Sequence, residues 1–264
     1  MIAALFFYMP FFKSLALSFF NVSASGAISS FAWLDNYRSL FTSQDFLKSI
    51  TTTALFTILF VPLNIVLIAS AASLTRRKTR LSFIPETIFF IPMAFSLSAV
   101  ALTFKEIFRG SVSIAGRIFH TDIPWLSSPS GAMFALVLLG VFLDFGLDYI
   151  LLLSSFRSID RSIIESAEID GCTSTQSLFH IELPIVRPML MILIFLSIKD
   201  AILISAPVMI LTEGGPFGAT ETVMYYYYTE AFRSSNRAIE TTLSTIMVLF
   251  SALVIAAASR WRRR

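Results

Sequence analysis

The chain has 264 residues, of which 56% are hydrophobic and 14% charged, and its mean hydropathy is +0.77. A soluble globular domain carries only roughly 45 to 50% apolar residues, so this composition excludes an ordinary water-soluble fold. It indicates an integral membrane protein with little chain left over for a soluble domain.

Six apolar stretches can each supply the approximately 20 residues that a helix needs to cross a hydrocarbon core of about 30 Å. In chain order, the predicted spans are Met1 to Phe20, Ser49 to Leu74, Leu81 to Phe104, Gly131 to Ser155, Ile185 to Leu211 and Ala238 to Ser259. Runs such as Ala132 to Leu139 are continuously apolar, whereas the strands of a transmembrane barrel alternate in polarity. The predicted fold is therefore an all-α integral membrane protein of about six transmembrane helices, forming one domain over residues 1–264.

The first span is the least regular of the six. It begins at Met1 without a basic leader and contains Pro10 and Lys13, so its length is marginal and a missing N-terminal stretch stays open. A cleaved signal peptide is disfavoured, because a charged n-region is absent and the apolar segment runs past the usual length. We therefore interpret it as a spanning helix.

The distribution of basic residues predicts which loops are cytoplasmic, because Lys and Arg are retained on that side of a membrane. One side would hold Arg76, Arg77, Lys78, Arg80, Arg157, Arg161, Arg187, Arg260, Arg262, Arg263 and Arg264. The other side has longer loops but holds only Arg38, Lys48, Lys105, Arg109, Arg117, Arg233 and Arg237. Both termini are therefore predicted to be cytoplasmic, and the Arg-rich tail is interpreted as a topology anchor rather than a nucleic-acid site.

The sequence predicts no metal site, cofactor site or catalytic site. Cys172 is the single cysteine, and the topology places His120 and His180 on opposite sides of the membrane. A Walker-type Gly-rich loop, a nucleophile elbow and a His-Glu-x-x-His sequence are all absent from the chain. We expect a protein that is not an enzyme and whose energy source lies on another chain or across the membrane.

The segment between the fourth and fifth spans, about residues 156–184, resembles a docking element in its composition. We expect two short helices, the first capped by Asp160, whose carboxylate can accept hydrogen bonds from free N–H groups, and stopped by Gly171 in a left-handed conformation. The expected apolar side consists of Ile163, Ile164, Ala167 and Leu178. Acidic flanks are unexpected in a cytoplasmic loop, so they predict a partner that offers a groove; they are Glu165, Glu168 and Asp170.

Three segments resemble one protein family. The sequence Glu165-Ser-Ala-x-x-Asp170-Gly171, continued by Phe179-x-Ile181-x-Leu183-Pro184 and Pro188, closely matches the Glu-Ala-Ala-x-x-x-Gly signature of binding-protein-dependent ABC importer permeases. The stretches Phe31-Ala-Trp-Leu-Asp-Asn36-Tyr37 and Leu211-Thr-Glu-Gly214-Gly215-Pro216, with Thr220-Glu221-Thr222, are similar to further motifs of the carbohydrate permeases. Two departures are Ser166 and Cys172, which stand where the family usually has Ala, and both are small.

The resemblance implies a type I importer permease in the bacterial inner membrane. Its expected partners are a homologous second permease, a cytosolic ATPase dimer and an extracytoplasmic solute-binding protein. The implied ATPase-coupling residues are Glu165, Ser166, Ala167, Asp170, Gly171, Cys172, Phe179 and Pro184. Contact with the binding protein is implied at Gly214, Gly215 and Pro216.

Four ionisable residues lie inside the predicted spans, namely Asp144, Asp148, Lys199 and Asp200. Such residues cost about 2.5 to 3.5 kcal/mol on insertion scales and normally face a bundle interior or a water-filled cavity. Either they form a structural ion pair, such as Lys199 with Asp144 or Asp148, or Asp144 and Asp200 line the translocation path. By resemblance, sugar-contacting positions fall at Leu143, Asp144, Leu147, Ser197, Asp200 and Ala201.

Three acids against one lysine would repel a phosphate, so we expect a neutral sugar, oligosaccharide or polyol as the solute. One alternative is ABC import of glycerol 3-phosphate. An ion-coupled secondary carrier using the three aspartates is another, although it would usually show inverted repeats, which are absent from the sequence. The third alternative is a membrane enzyme or a protein-insertion factor. The run Tyr225 to Tyr228 is expected to anchor the chain at the outer membrane interface; the alternative is a contact surface for the external binding protein, centred on Glu213, Gly214, Gly215 and Pro216.

Overall fold

The computed structural model describes residues 2–23, 27–79, 82–110, 124–233 and 237–261, and helices dominate it. Arg80, Arg117, His120 and Arg262 to Arg264 lie outside the described residues. The first half contains α1 (Ile2–Leu17), the antiparallel hairpin β1 (Phe20–Val22) and β2 (Ile28–Phe31), α2 (Asp35–Thr42), α3 (Gln44–Thr75), α4 (Phe83–Phe90) and α5 (Leu97–Phe108). The second half contains α6 (Pro129–Arg157), α7 (Arg161–Ile169), α8 (Ser174–Ser177), α9 (Leu183–Leu203), α10 (Ala206–Leu211), α11 (Val223–Phe232) and α12 (Arg237–Trp261).

The predicted all-α membrane fold is confirmed, and a helix occupies the position of every predicted span. Among the described residues, three helices have the length and apolar content to cross a membrane: Gln44–Thr75, Pro129–Arg157 and Ser174–Leu203. A bent pair, Phe83–Ala94 with Leu97–Phe108, makes a fourth if its halves form one span. The total of six spans therefore stays a prediction.

The third predicted span, Leu81 to Phe104, is wrong as a straight helix. Its two halves meet at an angle of 98°. Pro92 lies in a 3₁₀ turn between them and has no N–H group for helical bonding, and Ser96 starts α5 by accepting a hydrogen bond from the Ala99 N–H at 3.3 Å. The break packs against α6 at Gly146, where an added Cβ would lie 3.2 Å from the Met93 backbone nitrogen.

The fifth predicted span, Ile185 to Leu211, is also interrupted. Helix α9 ends at Leu203, Ile204 adopts an extended conformation, and α10 starts afresh with Pro207 in its first turn. Proline is favoured in a first helical turn and disfavours helical conformation in the residue before it. The helix therefore runs about 30 Å from Leu183 to Leu203, enough for one crossing, before the chain turns.

The centre of the bundle is formed by α3, α6 and α9, which supply most of the buried apolar side chains. Phe56 and Phe60 stack with ring centroids 5.3 Å apart, and Gly140 of α6 lies directly against the Phe60 ring. Near the other end of α3, the hydroxyls of Thr75 and Tyr149 lie 2.7 Å apart. This three-helix core fixes where the loop after α6 emerges.

Candidate functional site

Helix α7 is closed at both ends as the sequence predicts. A carboxylate oxygen of Asp160 accepts a hydrogen bond from the Ser162 N–H at 3.0 Å, and because this bond favours the ionised form, it lowers the pKa of Asp160. At the other end, Gly171 has φ +83°, its N–H donates to the Glu168 carbonyl, and the Cys172 N–H donates to the Ala167 carbonyl. These two bonds define a Schellman stop, which requires a left-handed residue at the Gly171 position.

The second expected short helix is not separate. Thr173 and Gln176 form a reciprocal capping box at the start of α8. From there the chain continues through a π-helical turn, Leu178–Glu182, directly into α9, so one apolar helix extends from Ser174 to Leu203. The segment Arg161–Ser177, called the coupling segment below after its predicted role, therefore leads directly into a central helix of the bundle.

A largely buried ion pair just after the coupling segment helps to attach that segment to the end of α3. The Arg76 Nε lies 2.8 Å from a Glu182 carboxylate oxygen, and the two side chains are only 12% and 3% exposed. Arg76 also donates to the carbonyl and hydroxyl of Ser174, and the Ser177 hydroxyl donates to Glu182. The start of α8 is thereby held in one orientation relative to the bundle.

Two of the three acidic residues in the coupling segment are neutralised within the chain. Arg161 pairs with Glu165 at 2.8 Å, one turn along α7, and Arg77 pairs with Glu168 at 2.8 Å. Basic residues of the chain itself therefore lie against Glu165 and Glu168, and the groove expected on a partner stays a prediction. Asp170 is exposed and makes no ion pair within the described ranges.

Large apolar side chains are exposed among the polar residues of the coupling segment and beside it. Ile169 is 86% exposed, Phe179 on the adjoining π-turn is 60% exposed, and Ile163 is also exposed. Ala167, an implied ATPase-coupling residue, is buried against the rest of the chain. Ser166 and Pro184 are exposed, and Cys172 is half-buried.

A buried polar cluster lies in the bundle core between α3, α6 and α9. The Asn64 side-chain N–H₂ donates to a carboxylate oxygen of Asp148 at 3.2 Å and to the Ser197 hydroxyl at 3.1 Å. All three residues are buried, and the side-chain oxygen of Asn64 has no hydrogen-bond partner within the described ranges. Asn64 was missed from the sequence because only ionisable residues were considered, although an amide in the middle of an apolar span is a comparable signal.

The intramembrane charges are paired differently from either predicted ion pair. Lys199 contacts the carboxylate of its neighbour Asp200 at 2.8 Å, with both side chains almost half exposed, so the predicted pairing with Asp144 or Asp148 is wrong. The charges of Asp148, Lys199 and Asp200 all act on Asp144, which brings the four predicted residues into one electrostatic cluster.

The predicted path residues do not all face open space. Asp144, Leu143 and Asp200 are half-buried, and Leu147 is exposed on the surface of the single chain. Ser197 and Ala201 are fully buried in this conformation, Ser197 within the Asn64 cluster and Ala201 within the core. Leu143, Asp144, Leu147 and Asp200 are therefore the members of the set with accessible surface in the single chain.

At the far end of α9, residues Gly214 to Gly218 form a compact loop. Gly214 has φ +81°, and an added Cβ would meet the Tyr225 ring at 2.8 Å, so only glycine fits there. The Thr220 hydroxyl donates to the Gly215 carbonyl at 2.8 Å, and Lys48 donates to the Phe217 carbonyl. Gly214 is buried and Gly215 and Pro216 are half-buried, whereas Phe217 is 86% exposed.

The tyrosine run of α11 does not form a uniform interfacial anchor. Tyr225 and Tyr226 are buried, Tyr226 packing 5.9 Å from the Phe46 ring, so the predicted headgroup contact is wrong for these two. Tyr227 and Tyr228 are half-buried. Alternation of buried and accessible faces around a helix explains the difference, because adjacent residues point about 100° apart.

Residues 64–264 match the family described as the inner membrane component of binding-protein-dependent transport systems. The chain belongs to this family. As an inner membrane component of a transport system, it is a transport subunit rather than an enzyme. The match begins at Asn64 and includes the coupling segment, the intramembrane charges and the Gly214 loop.

Curated relatives of the same kind cover nearly the whole chain. The multiple sugar-binding transport system permease protein MsmF of Streptococcus mutans is 27% identical over 94% of this chain and 87% of its own length. The probable ABC transporter permease protein YurN of Bacillus subtilis is 25% identical over 94% of this chain and 87% of its own length. The sn-glycerol-3-phosphate transport system permease protein UgpA of Pectobacterium atrosepticum is 27% identical over 94% of this chain and 86% of its own.

Solved structures confirm the fold. A chain of a bacterial ABC transporter involved in the import of the acidic polysaccharide alginate superimposes with a TM-score of 0.86 at 19% identity, covering 100% of this chain and 92% of that one. A chain of the alginate transporter in complex with an alginate pentasaccharide-bound periplasmic protein superimposes with a TM-score of 0.84. This match covers 100% of the present chain and 91% of the other. At this identity the likeness concerns the arrangement of helices alone.

Proposed function

We propose that this family member is the permease subunit of an ATP-driven importer for a neutral sugar, oligosaccharide or polyol. It pairs with a homologous second permease, and a cytosolic ATPase dimer and an extracytoplasmic solute-binding protein complete the assembly. Both termini and the coupling segment face the cytoplasm. The relatives named for sugar and glycerol-phosphate transport support this class of system.

The observation that carries the proposal is the exposure of Ile169 on the coupling segment and of Phe179 on the adjoining π-turn. A short helix that is capped at both ends, held to the bundle through the Arg76–Glu182 pair and exposes large apolar side chains is suited to a groove on a partner. Because α8 continues into α9, closure of the ATPases would push on the Asn64 cluster along one continuous helix.

The docking role is tested by Gly171→Asp, with Gly110→Asp as the matched control. Both glycines have positive φ, at +83° and +78°, and open space around an added Cβ, so both variants carry the same backbone strain. Gly110 follows α5, whose Lys105 pairs with Glu213 beside the Gly214 loop, at the opposite end of the bundle.

We expect Gly171→Asp to insert normally but to lose co-purifying ATPase, because a charged side chain then occupies the edge of the docking surface. Gly110→Asp should retain the ATPase. Recovery of a normal ATPase complex with Gly171→Asp would refute the docking role.

The solute preference follows from the charges along the path. Asp144, Asp148 and Asp200 oppose the single Lys199, which already pairs with Asp200, so the cluster carries a net negative formal charge. Like charges in a low-dielectric cavity repel strongly, and carboxylates accept hydrogen bonds from sugar hydroxyls. Neutral polyhydroxyl solutes are favoured over phosphorylated ones.

Uptake by the reconstituted importer, with its binding protein, measures this preference directly. We expect a neutral oligosaccharide to compete for transport where its phosphorylated analogue does not. Asp144→Asn should lower the rate of uptake while leaving ATPase assembly intact, because Asp144 lies far along the bundle from the coupling segment. Better competition by phosphorylated solutes than by neutral sugars would contradict the proposal of a neutral solute. It would not contradict the proposal that the protein is an importer subunit.

A further inference from the structure

A ridge of apolar side chains follows α1 along the hairpin. The rings of Phe20 and Phe31 meet edge to face with centroids 5.0 Å apart, and Phe31 meets Trp33 in the same way at 5.3 Å. Trp33 is 69% exposed and Phe31 52%, with Ile28 and Leu34 similarly exposed beside them. These five residues, Phe20, Ile28, Phe31, Trp33 and Leu34, are called the aromatic ridge below. Exposed aromatic residues in contact with one another mark an interaction surface.

The aromatic ridge is held rigidly to the end of α1. The buried side chain of Asn36 donates one hydrogen bond to the Ser18 carbonyl and one to the Phe20 carbonyl, each at 3.0 Å. The Ser18 hydroxyl in turn lies 2.7 Å from the Tyr37 hydroxyl. Trp33 has φ +49°, a conformation uncommon outside glycine. Its ring therefore projects from a fixed backbone rather than from a pliable loop.

The position of the ridge fits a membrane boundary. It adjoins α1 and lies between α1 and the start of α3, whereas the far end of α3 meets the coupling segment through Arg76. Because α3 is long enough to cross a membrane, the ridge lies near the membrane face opposite the coupling segment.

The charge pattern points to a lipid surface as the occupant. The sequence has no charged residue between Lys13 and Asp35, so this stretch offers neither a salt bridge to a protein partner nor a basic group for anionic lipid. Tryptophan is enriched at membrane interfaces because its ring is apolar and its N–H is polar. Neutral and zwitterionic headgroups match such a surface.

We propose that the aromatic ridge seats in the headgroup boundary of the leaflet opposite the coupling segment. That this leaflet is the outer one rests on the proposed orientation of the importer; the lipid contact itself does not.

The test is quenching of Trp33 emission by brominated phosphatidylcholine, with the full chain in lipid nanodiscs. The chain has three tryptophans, so the difference between the wild type and Trp33→Phe isolates the emission of Trp33. Phenylalanine keeps an apolar ring at the same place, so the variant is expected to fold. Two lipids are compared, one brominated near the headgroup and one near the end of the acyl chain.

We expect Trp33 to lose more emission with bromines near the headgroup than with bromines at the chain end. Loss with neither lipid, together with full quenching by aqueous acrylamide, would overturn the proposal. Protection from acrylamide that appears only when a solute-binding protein is added would also overturn it, in favour of a protein contact. Neither result depends on transport or on ATPase assembly, so failure here leaves the importer assignment untouched.

Discussion

At the residue scale, local rules explain the two ends of α7. Asp160 caps the helix and Gly171 stops it in a left-handed conformation, and both roles depend only on the residue type and its place in the chain. Asn64 is different, because its partners Asp148 and Ser197 are 84 and 133 positions away. Only the packing of three helices brings those groups into hydrogen-bonding distance.

We predict that Asn64→Leu lowers the free energy of unfolding by about 1 kcal/mol, because Asp148 and Ser197 lose a buried donor in an apolar environment. Ser70→Ala on the same helix is the control, since the hydroxyl of the exposed Ser70 donates to the Val66 carbonyl of its own turn. Thermal unfolding in detergent measures both variants. Additive effects of Asn64→Leu and Ser197→Ala in a double-mutant cycle would contradict a shared hydrogen bond.

At the element scale, the break between α4 and α5 shows what the apolar sequence pattern predicts and what depends on packing. The apolar run from Leu81 onward predicts a span, but Pro92 and Ser96 interrupt the helix, and the second half turns away at 98°. The bend is accommodated because Gly146 lets the Met93 and Phe90 backbone approach α6 closely. A continuous hydropathy profile contains no information on that direction.

We predict that Gly146→Ala destabilises the chain by about 1 to 3 kcal/mol, because the new methyl group would press on the Met93 backbone, which cannot rotate away. Gly140→Ala is the matched control on α6, where the Cβ meets only the rings of Phe60 and Phe56. Those rings can shift, and alanine favours a helix over glycine by about 1 kcal/mol. In thermal unfolding, Gly146→Ala should have a clearly lower unfolding temperature than Gly140→Ala. Equal unfolding temperatures would argue against a backbone contact at Gly146.

At the scale of the whole molecule, ionic contacts join the coupling segment to the bundle, and they are unequal. The Arg76–Glu182 pair is nearly buried, whereas about half of each side chain in the Arg77–Glu168 pair is exposed. Removing one partner of a buried pair leaves an uncompensated charge, whereas an exposed pair is screened by water and salt. The first contact therefore dominates the attachment.

We predict that Arg76→Met costs about 3 to 5 kcal/mol of stability, because Glu182 is left buried and unpaired. Arg77→Met should change stability by less than about 1 kcal/mol. Chemical unfolding in detergent compares the two variants, which remove the same charge from neighbouring positions. A similar loss for both would mean that burial of the Arg76 pair has no energetic consequence.

The orientation of the whole chain is testable with its native thiol. Cys172 is the single cysteine and adjoins Gly171 at the end of α7, so a membrane-impermeant thiol reagent should label it in inverted vesicles but not in intact cells. Phe217→Cys combined with Cys172→Ser should give the opposite pattern, because Phe217 is exposed at the far end of the bundle. Labelling of Cys172 from outside would reverse the proposed topology.

The sequence by itself determined the membrane class, the helical content and the local caps of α7, because hydropathy, helix period and capping chemistry are properties of neighbouring residues. The motifs around Glu165 and Gly214 also placed the chain in the importer-permease family, which the match over residues 64–264 confirms. Only the tertiary structure decided that Arg77 pairs with Glu168, that Asp148 bonds to Asn64 rather than to Lys199, and that Ala167 and Tyr225 face inward. Such contacts depend on which helix faces come together, and distant parts of the chain settle that jointly through packing.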